Sequence, residues 1–273
     1  MEPTESHPHA IHLGAERLEA LMFRGVCHGA IGNRAFGGQV LAQSLHAAGQ
    51  TVPAERIAHS AHGYYIRGGR AGQPIVYRVE ATRDGRSFST RQVQAVQDGE
   101  VLFSLTVSFQ VAVPGAAHGL PMPDVPLPDE LTGTRGLFGA VWDRQPIPAQ
   151  LFDFRFVPDG LVPAGSQMYW VRAWEPLGED PLAQLCAISY VSDIKLASIA
   201  SGLDRAELPG HTLSSLDHSI WFHQPARADE WLLYHQHGRA VSDSRGLASG
   251  EFFTVAGDLV ASVAQEVLIR PRR

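Results

Sequence analysis

Asp193 is the residue whose presence most needs a reason. It lies in the run 185–202, LCAISYVSDIKLASIASG, where Leu185, Ile188, Ser192, Leu196 and Ile199 follow helical spacing. Cys186, Val191, Ile194, Ala197 and Ala200 fill the remaining faces, so the helix is apolar all round and should be buried. A carboxylate in such a place costs several kcal/mol unless it is hydrogen-bonded or paired. Either it caps a helix that starts later, since Ser192 and Asp193 are both good N-cap types, or chemistry requires it. Burial would disfavour its charged form and raise its basicity, the direction a general base needs. Lys195, the only lysine in the chain, follows two residues later, a spacing that does not put the two side chains on one helix face. Gln265 poses a similar question in the strand-like run 259–268, LVASVAQEVL, where a buried amide among small and apolar residues demands partners.

Other reactive types carry less. His59 and His62 are three apart on a predicted strand and so should point to opposite faces. His235 and His237 share a face but have no third ligand nearby in sequence, so no metal is expected. Arg67, Arg70, Arg83, Arg86 and Arg91 sit on strands or at turns and are candidates for meeting phosphates. The chain has no G-x-S-x-G, which excludes a nucleophile elbow, and no G-x-G-x-x-G or phosphate-cradling P-loop. No cofactor is expected. Cys27 and Cys186 are the only cysteines, and the second falls in the buried helix, which argues against a disulfide framework and for a reducing compartment.

The elements that must position these residues follow from composition. With 273 residues, 44% hydrophobic and 18% charged, the chain can bury a sizeable core. A net charge of −6 argues against a nucleic-acid partner and leaves a small molecule as the better choice. No run approaches the roughly 20 apolar residues of a membrane span. The polar, acidic N-terminus is unlike a signal peptide, the terminal IRPRR is not a Ser-Lys-Leu address, and a cytoplasmic location is expected.

A first strand is read over 20–28, then a helix over 38–48 after a glycine-punctuated loop. Strands over 56–67, 74–83, 87–97 and 101–111 follow, separated by GGRAGQ, DGR and DGE turns. Residues 114–129, PGAAHGLPMPDVPLPD, hold prolines too closely spaced for ladder or helix and form a linker. The pattern then repeats, with strands over 151–157 and 168–174, the helix at 185, and strands over 213–223, 230–237, 246–255 and 259–269. HGYYIR is echoed by HSIWFH, and QDGEVLFSLTVSF by VAGDLVASVAQEVL, which suggests an internal duplication. A long apolar helix followed by antiparallel strands, twice, predicts an α+β double hot-dog, each sheet wrapped around a long central helix. The expected division is 1–113 for the N-terminal hot-dog, 114–129 for the linker and 130–273 for the C-terminal hot-dog.

Taken in order, FGGQVLAQSLHAA (36–48), RDGRSFSTRQVQAVQDG (83–99), YVSDIKL (190–196), LDHSIWFH (216–223) and LVASVAQE (259–266) resemble the type II acyl-CoA thioesterases. The resemblance spans nearly the whole chain and implies hydrolysis of an acyl-CoA substrate to free acid and CoA, without metal or covalent intermediate. Its catalytic aspartate, hydroxyl residue and glutamine would be Asp193, Ser215 and Gln265. Serine stands here where some relatives have threonine. Without the resemblance, Ser215 is an ordinary strand hydroxyl.

Gly37 and Gly38 occupy the place expected to correspond to Ser192 and Asp193, so the first half would have lost its acid and one site per chain would remain. Backbone N–H groups at that helix start would then polarise the thioester carbonyl. Tyr64, Tyr65, His218, Trp221 and Phe222 are read as core or acyl-pocket wall, with Tyr65, His218 and Trp221 taken as substrate-binding. Further homo-oligomerisation would follow from the family likeness alone. An enoyl-CoA hydratase would show an aspartate and a histidine in one short motif, which is missing. A non-catalytic acyl-CoA-binding or regulatory protein would keep the pocket and lose the acid.

Overall fold

Strand-forming and helix-forming stretches come in the order the pattern predicts, with instructive departures at their ends. A computed structural model describes residues 13–29, 33–116, 118–132, 150–204 and 206–272. The first part comprises β1 (Glu16–Glu19), β2 (Met22–Val26), α1 (Gly37–Gly49), β3 (Arg56–Tyr65), β4 (Pro74–Asp84), β5 (Phe88–Gln97) and β6 (Glu100–Val111). The second comprises β7 (Phe152–Phe156), β8 (Ser166–Ala173), α2 (Pro181–Ser192), α3 (Leu196–Ser201), β9 (His211–Ser215), β10 (Asp217–Phe222), β11 (Leu232–Ser242), β12 (Arg245–Thr254) and β13 (Leu259–Pro271).

The strands form one large antiparallel sheet in the order β1-β2-β4-β5-β6-β3-β10-β13-β12-β11-β8-β7, with β9 also paired to β13. The order β2-β4-β5-β6-β3 recurs as β8-β11-β12-β13-β10, and β3 joins β10 with Ser219 opposite His62 and Asp217 opposite Tyr64. The β5–β6 connection is the two-residue turn that Asp-Gly favours, with φ of 52° at Asp98 and 83° at Gly99.

α1 lies on the first run of strands, α3 on the second, and α1 packs directly against α2. A Cβ on Gly38 would come within 2.5 Å of the Tyr190 carbonyl oxygen, and one on Gly49 within 2.5 Å of Leu182. The start of α1 therefore meets the end of α2, and the two helices run antiparallel. The contact leaves no room for a side chain at Gly38.

Two predicted strands are broken. The run near 20–28 is a β1–β2 hairpin turning at Ala20 and Leu21. The run 213–223 kinks at Leu216, because the Asp217 carboxylate accepts the Glu266 N–H at 2.7 Å in place of a strand carbonyl. Either side of the kink, Ser215 pairs with Val267 and Ser219 with Ala264 of β13.

Residues between 122 and 131 lie on the sheet face away from the helices. Met122, Val125 and Leu131 pack on Trp170, Leu233, Phe253 and Leu259, and the Trp170 indole N–H donates to Pro126 O at 2.9 Å.

The predicted single helix over 185–202 is two. Asp180 caps α2 through a 2.9 Å bond from the Leu182 N–H, with Pro181 in the first turn, a combination worth about 1 kcal/mol. At the other end, the carbonyls that a helix terminus leaves unpaired are taken by strand side chains. The Tyr234 hydroxyl donates to Ser192 O at 2.7 Å, and the Tyr169 hydroxyl and Gln236 amide donate to Ile194 O at 3.0 and 2.8 Å. Lys195 then adopts a left-handed φ of 62°, which ends the turn before α3. Contrary to the sequence expectation, Pro181–Ser201 is apolar and long enough by composition to cross a membrane. Here its apolar faces pack against the sheet and α1, which accounts for the composition.

Candidate active site

Asp193 sits at the C-terminal cap of α2 with 8% of its surface exposed. Lys195 is the residue that precedes α3, so Asp193 does not cap that helix. Its carboxylate instead faces the start of α1, where the Gly38 N–H and the Gln265 side chain favour its charged form. The N-terminus of α1 has no acidic residue of its own in its first turn and no side-chain cap, so Asp193 supplies the negative charge that a helix start favours.

Gln265 is fully buried on β13. Its Oε1 accepts from His218 Nδ1 at 2.5 Å, and its Nε2 donates to Ser215 Oγ at 2.8 Å. His218 Nε2 lies 2.8 Å from Ser192 Oγ, which donates to Ser189 O. With the Gln265 oxygen taken by His218, the amide must present its N–H groups to Ser215 and Asp193. The three residues implied by the resemblance thus come from α2, β9 and β13 to one point. The kink at Leu216 is what brings Ser215 over Gln265.

Burial pushes the Asp193 carboxyl above its ordinary value of 3.8, against the opposing effects of the nearby His218 charge, Gln265 and the Gly38 N–H. Burial likewise lowers the His218 imidazole, against the pull of Asp193. The pair therefore favours a neutral ring beside a carboxyl more basic than usual.

Tyr65 completes the cluster. A Cβ on Gly37 would lie 2.9 Å from Asp193 Oδ2 and 3.1 Å from the Tyr65 hydroxyl, so both groups border the same glycine. The Tyr65 hydroxyl is buried and has no hydrogen-bond partner among the described residues. Burial, then the Asp193 charge, holds that phenol well above its ordinary pKa, so it remains a proton donor. Its side chain is fixed by the Phe103 ring, centroids 4.5 Å apart.

Several expected roles are corrected. Trp221 is 39% exposed and Tyr64 67% exposed, because both project from the sheet face away from the helices; Trp221 stacks edge-on to His62 instead. His218 lies behind Gln265, with its Nδ1 2.5 Å from Gln265 Oε1. The matching of Gly37 and Gly38 with Ser192 and Asp193 fails, since the former begin α1 and the latter end α2. The C-cap position that Asp193 holds on α2 is held by Gln50 on α1. In the GEVLFSLTV and GDLVASVAQ echo, Val107 stands where Gln265 does. The Gly38 N–H, expected to face a thioester carbonyl, is turned to Asp193.

A bulge between Ala58 and Ser60 sends both Ala58 and Ala61 into the core. His59 and His62 consequently emerge on the same outer face, on Ser108 and Trp221, rather than on opposite ones. Arg91 is a buried structural group on Asp84 and Thr51, while Arg67 and Arg70 pair with Glu100 and Asp98. Arg34, which sequence reasoning passed over as loop, donates to Ser214 Oγ at 3.1 Å beside Ser215. Cys27 and Cys186 are free buried thiols, and burial pushes Cys27 up to about 12.

Lys195 holds its ammonium 4.7 Å from the Phe156 ring centroid. Lys195→Asn should keep the thermal midpoint, because Asn tolerates the left-handed φ of 62°. A lower midpoint in that variant would show that the ammonium–ring contact stabilises the fold.

The acyl-CoA thioesterase N-terminal domain family matches residues 27–110, and the C-terminal domain family matches 122–269. The chain is 36% identical to acyl-coenzyme A thioesterase 8 of Homo sapiens, over 94% of this chain and 87% of that protein. It is 42% identical to the crystal structure of acyl-CoA thioesterase II TesB2 from Mycobacterium marinum, with a TM-score of 0.83 over 95% of this chain and 97% of that one. A protein with a hot dog fold from Alicyclobacillus acidocaldarius, 20% identical, shares the fold at a TM-score of 0.74 over 94% and 96% of the two chains. Two matched domains spanning most of the sequence, and identities above 30% over nearly full-length relatives, establish that the chain belongs to the type II acyl-CoA thioesterase family.

Proposed function

We propose that this protein hydrolyses acyl-CoA thioesters by direct attack of a water held by Asp193, Ser215 and Gln265. The scaffold is read as a double hot-dog, with residues 1–113 and 130–273 as its two units and 114–129 as the linker. The recurring strand order and the antiparallel α1–α2 contact support that reading.

Asp193 accepts the water's proton as the oxygen bonds to the carbonyl carbon. Its raised basicity and its place at a helix start suit it to hold either protonation state. Ser215 Oγ accepts from Gln265, which leaves the serine O–H free to orient that water. The carbonyl oxygen gains negative charge and the Tyr65 O–H, buried and otherwise without an acceptor, stabilises it. Collapse of the tetrahedral intermediate breaks the C–S bond, and the proton on Asp193 leaves with the CoA thiol. Arg34, which donates to Ser214 beside Ser215, is the guanidinium we assign to the phosphates of CoA.

The observation that carries this reading is the meeting of a buried carboxylate, a Ser215–Gln265 hydrogen bond and an orphaned phenol at the start of α1. A thiol-release assay across acyl-CoAs of short to long chain tests it. One CoA thiol should appear per acyl-CoA consumed, and tight binding without release across the whole panel would overturn it. Tyr65→Phe should lower kcat by about 10²–10³-fold without lowering the thermal midpoint, because it removes a donor that stabilises the oxyanion and a hydroxyl that costs free energy unpaired. Unchanged kcat in that variant would remove Tyr65 from the reaction.

A further inference from the structure

On the sheet face opposite the catalytic cluster, β11 and β12 bring together three metal-ligating side chains that have no part in thioester hydrolysis. His235 lies directly across the ladder from Glu251, and His237 is two residues further along the same face. One nitrogen from each imidazole and one Glu251 carboxylate oxygen lie within 4.8 Å of one another. His237 Nε2 is 3.1 Å from Glu251 Oε2, and the two imidazole centroids are 3.7 Å apart. This is the third ligand that sequence spacing could not supply, because it comes from the neighbouring strand.

A hydrogen-bonded His237–Glu251 pair would account for two of these groups. It leaves the third unexplained. His235 is 8% exposed, and its buried Nε2 has no hydrogen-bond partner among the described residues. An orphaned buried nitrogen is costly unless something accepts from it or binds it. His237 Nδ1 is 3.1 Å from Ser166 Oγ, the kind of outer hydrogen bond that fixes the tautomer of a ligating ring. All three side chains stand on rigid neighbouring strands.

We infer that His235, His237 and Glu251 form a binding site for a divalent first-row transition metal ion. Two imidazole nitrogens and one carboxylate oxygen suit Zn²⁺ or Co²⁺ over Mg²⁺ or Ca²⁺, which prefer oxygen-rich shells. Bond lengths of about 2.0–2.2 Å require the three ligands to close slightly around the ion. The role is structural: the ion clips β11 to β12. Gln236, between the two histidines, points the other way and holds the Ile194 carbonyl just after Asp193.

The test is Zn²⁺ titration of the chelator-stripped, full-length protein by competition with a chromogenic chelator, with Co²⁺ absorption as a check on coordination. The expected result is one equivalent of Zn²⁺ and a rise in thermal midpoint, as for any ligand that binds the folded state. Affinity should fall at least about tenfold, or 1.4 kcal/mol, in Glu251→Gln and in His237→Asn. Both variants should retain thiol release. Because His235 is buried, His235→Asn is the third variant and is read only if its midpoint without metal matches the parent. Absence of stoichiometric Zn²⁺ uptake overturns the site. Uptake unchanged in Glu251→Gln and His237→Asn also overturns it, since it would place the ion on other histidines.

Discussion

Asp193→Asn should lower kcat by about 10²–10⁴-fold and at the same time raise the thermal midpoint once the pH exceeds the folded-state value of the carboxyl. The first effect follows from removing the proton acceptor while keeping an oxygen to face the Gly38 N–H. The second follows from linkage. Burial holds the folded-state carboxyl above its ordinary value, so the folded protein binds this proton more tightly than the unfolded chain does. The stability contribution is fully present below the unfolded value and is lost as pH rises through the folded one. Above the folded-state value the parent therefore carries an ionised, buried group that the Asn variant lacks. The same displacement sets the rate profile. The acidic limb of kcat/KM should lie above the pH at which an ordinary aspartate ionises and should vanish in the variant. Scanning calorimetry and a pH–rate series check both parts; a variant that is less stable and still active would contradict both.

Gln265→Leu should be both inactive and destabilised, a combination that separates it from Asp193→Asn. Leucine matches the apolar strand but leaves His218 Nδ1 and Ser215 Oγ without the partners they have at 2.5 and 2.8 Å. The buried His218 left unpaired costs about 1–3 kcal/mol, with less for the half-buried Ser215, and in a chain of this size each kcal/mol lowers the midpoint by about 2–4 °C. Loss of the amide that organises Ser215 and the water should cost a further 10²–10³-fold, roughly, in kcat for the fraction still folded. Activity measured well below the midpoint, normalised to folded protein, distinguishes the catalytic loss from simple unfolding. Full activity per folded molecule would reduce Gln265 to a core residue.

The polar residues that the sequence singled out without any family, Asp193 and Gln265, meet at the centre of the candidate site. Each was visible because a buried polar group among apolar neighbours has to be satisfied by something. Ser215 was not visible in that way: a serine on a strand is ordinary, and its position depends on a kink made by the Asp217 side chain. The break between α2 and α3 was hidden for a similar reason. Tyr169, Tyr234 and Gln236, from distant strands, take the carbonyls that end α2, and local helical spacing says nothing about them.

Errors of face came from single residues. A bulge at His59 reversed the expected relation to His62, and strand alternation put Trp221 outside while His218 and Phe222 went inside. The comparison of the halves failed at Gly37 because motif similarity ignored direction: the two helices pack antiparallel, so the end of one faces the start of the other. Cross-strand pairing, which sequence spacing does not encode, brought Glu251 to His235.

The central claim is that water, rather than a side chain, attacks the thioester. Intact mass of the protein acid-quenched during turnover of excess acyl-CoA tests it most directly. The account predicts an unchanged protein mass at every time point, with all released acyl groups recovered as free acid. A protein heavier by one acyl group, with the adduct on the peptide containing Asp193, would contradict it.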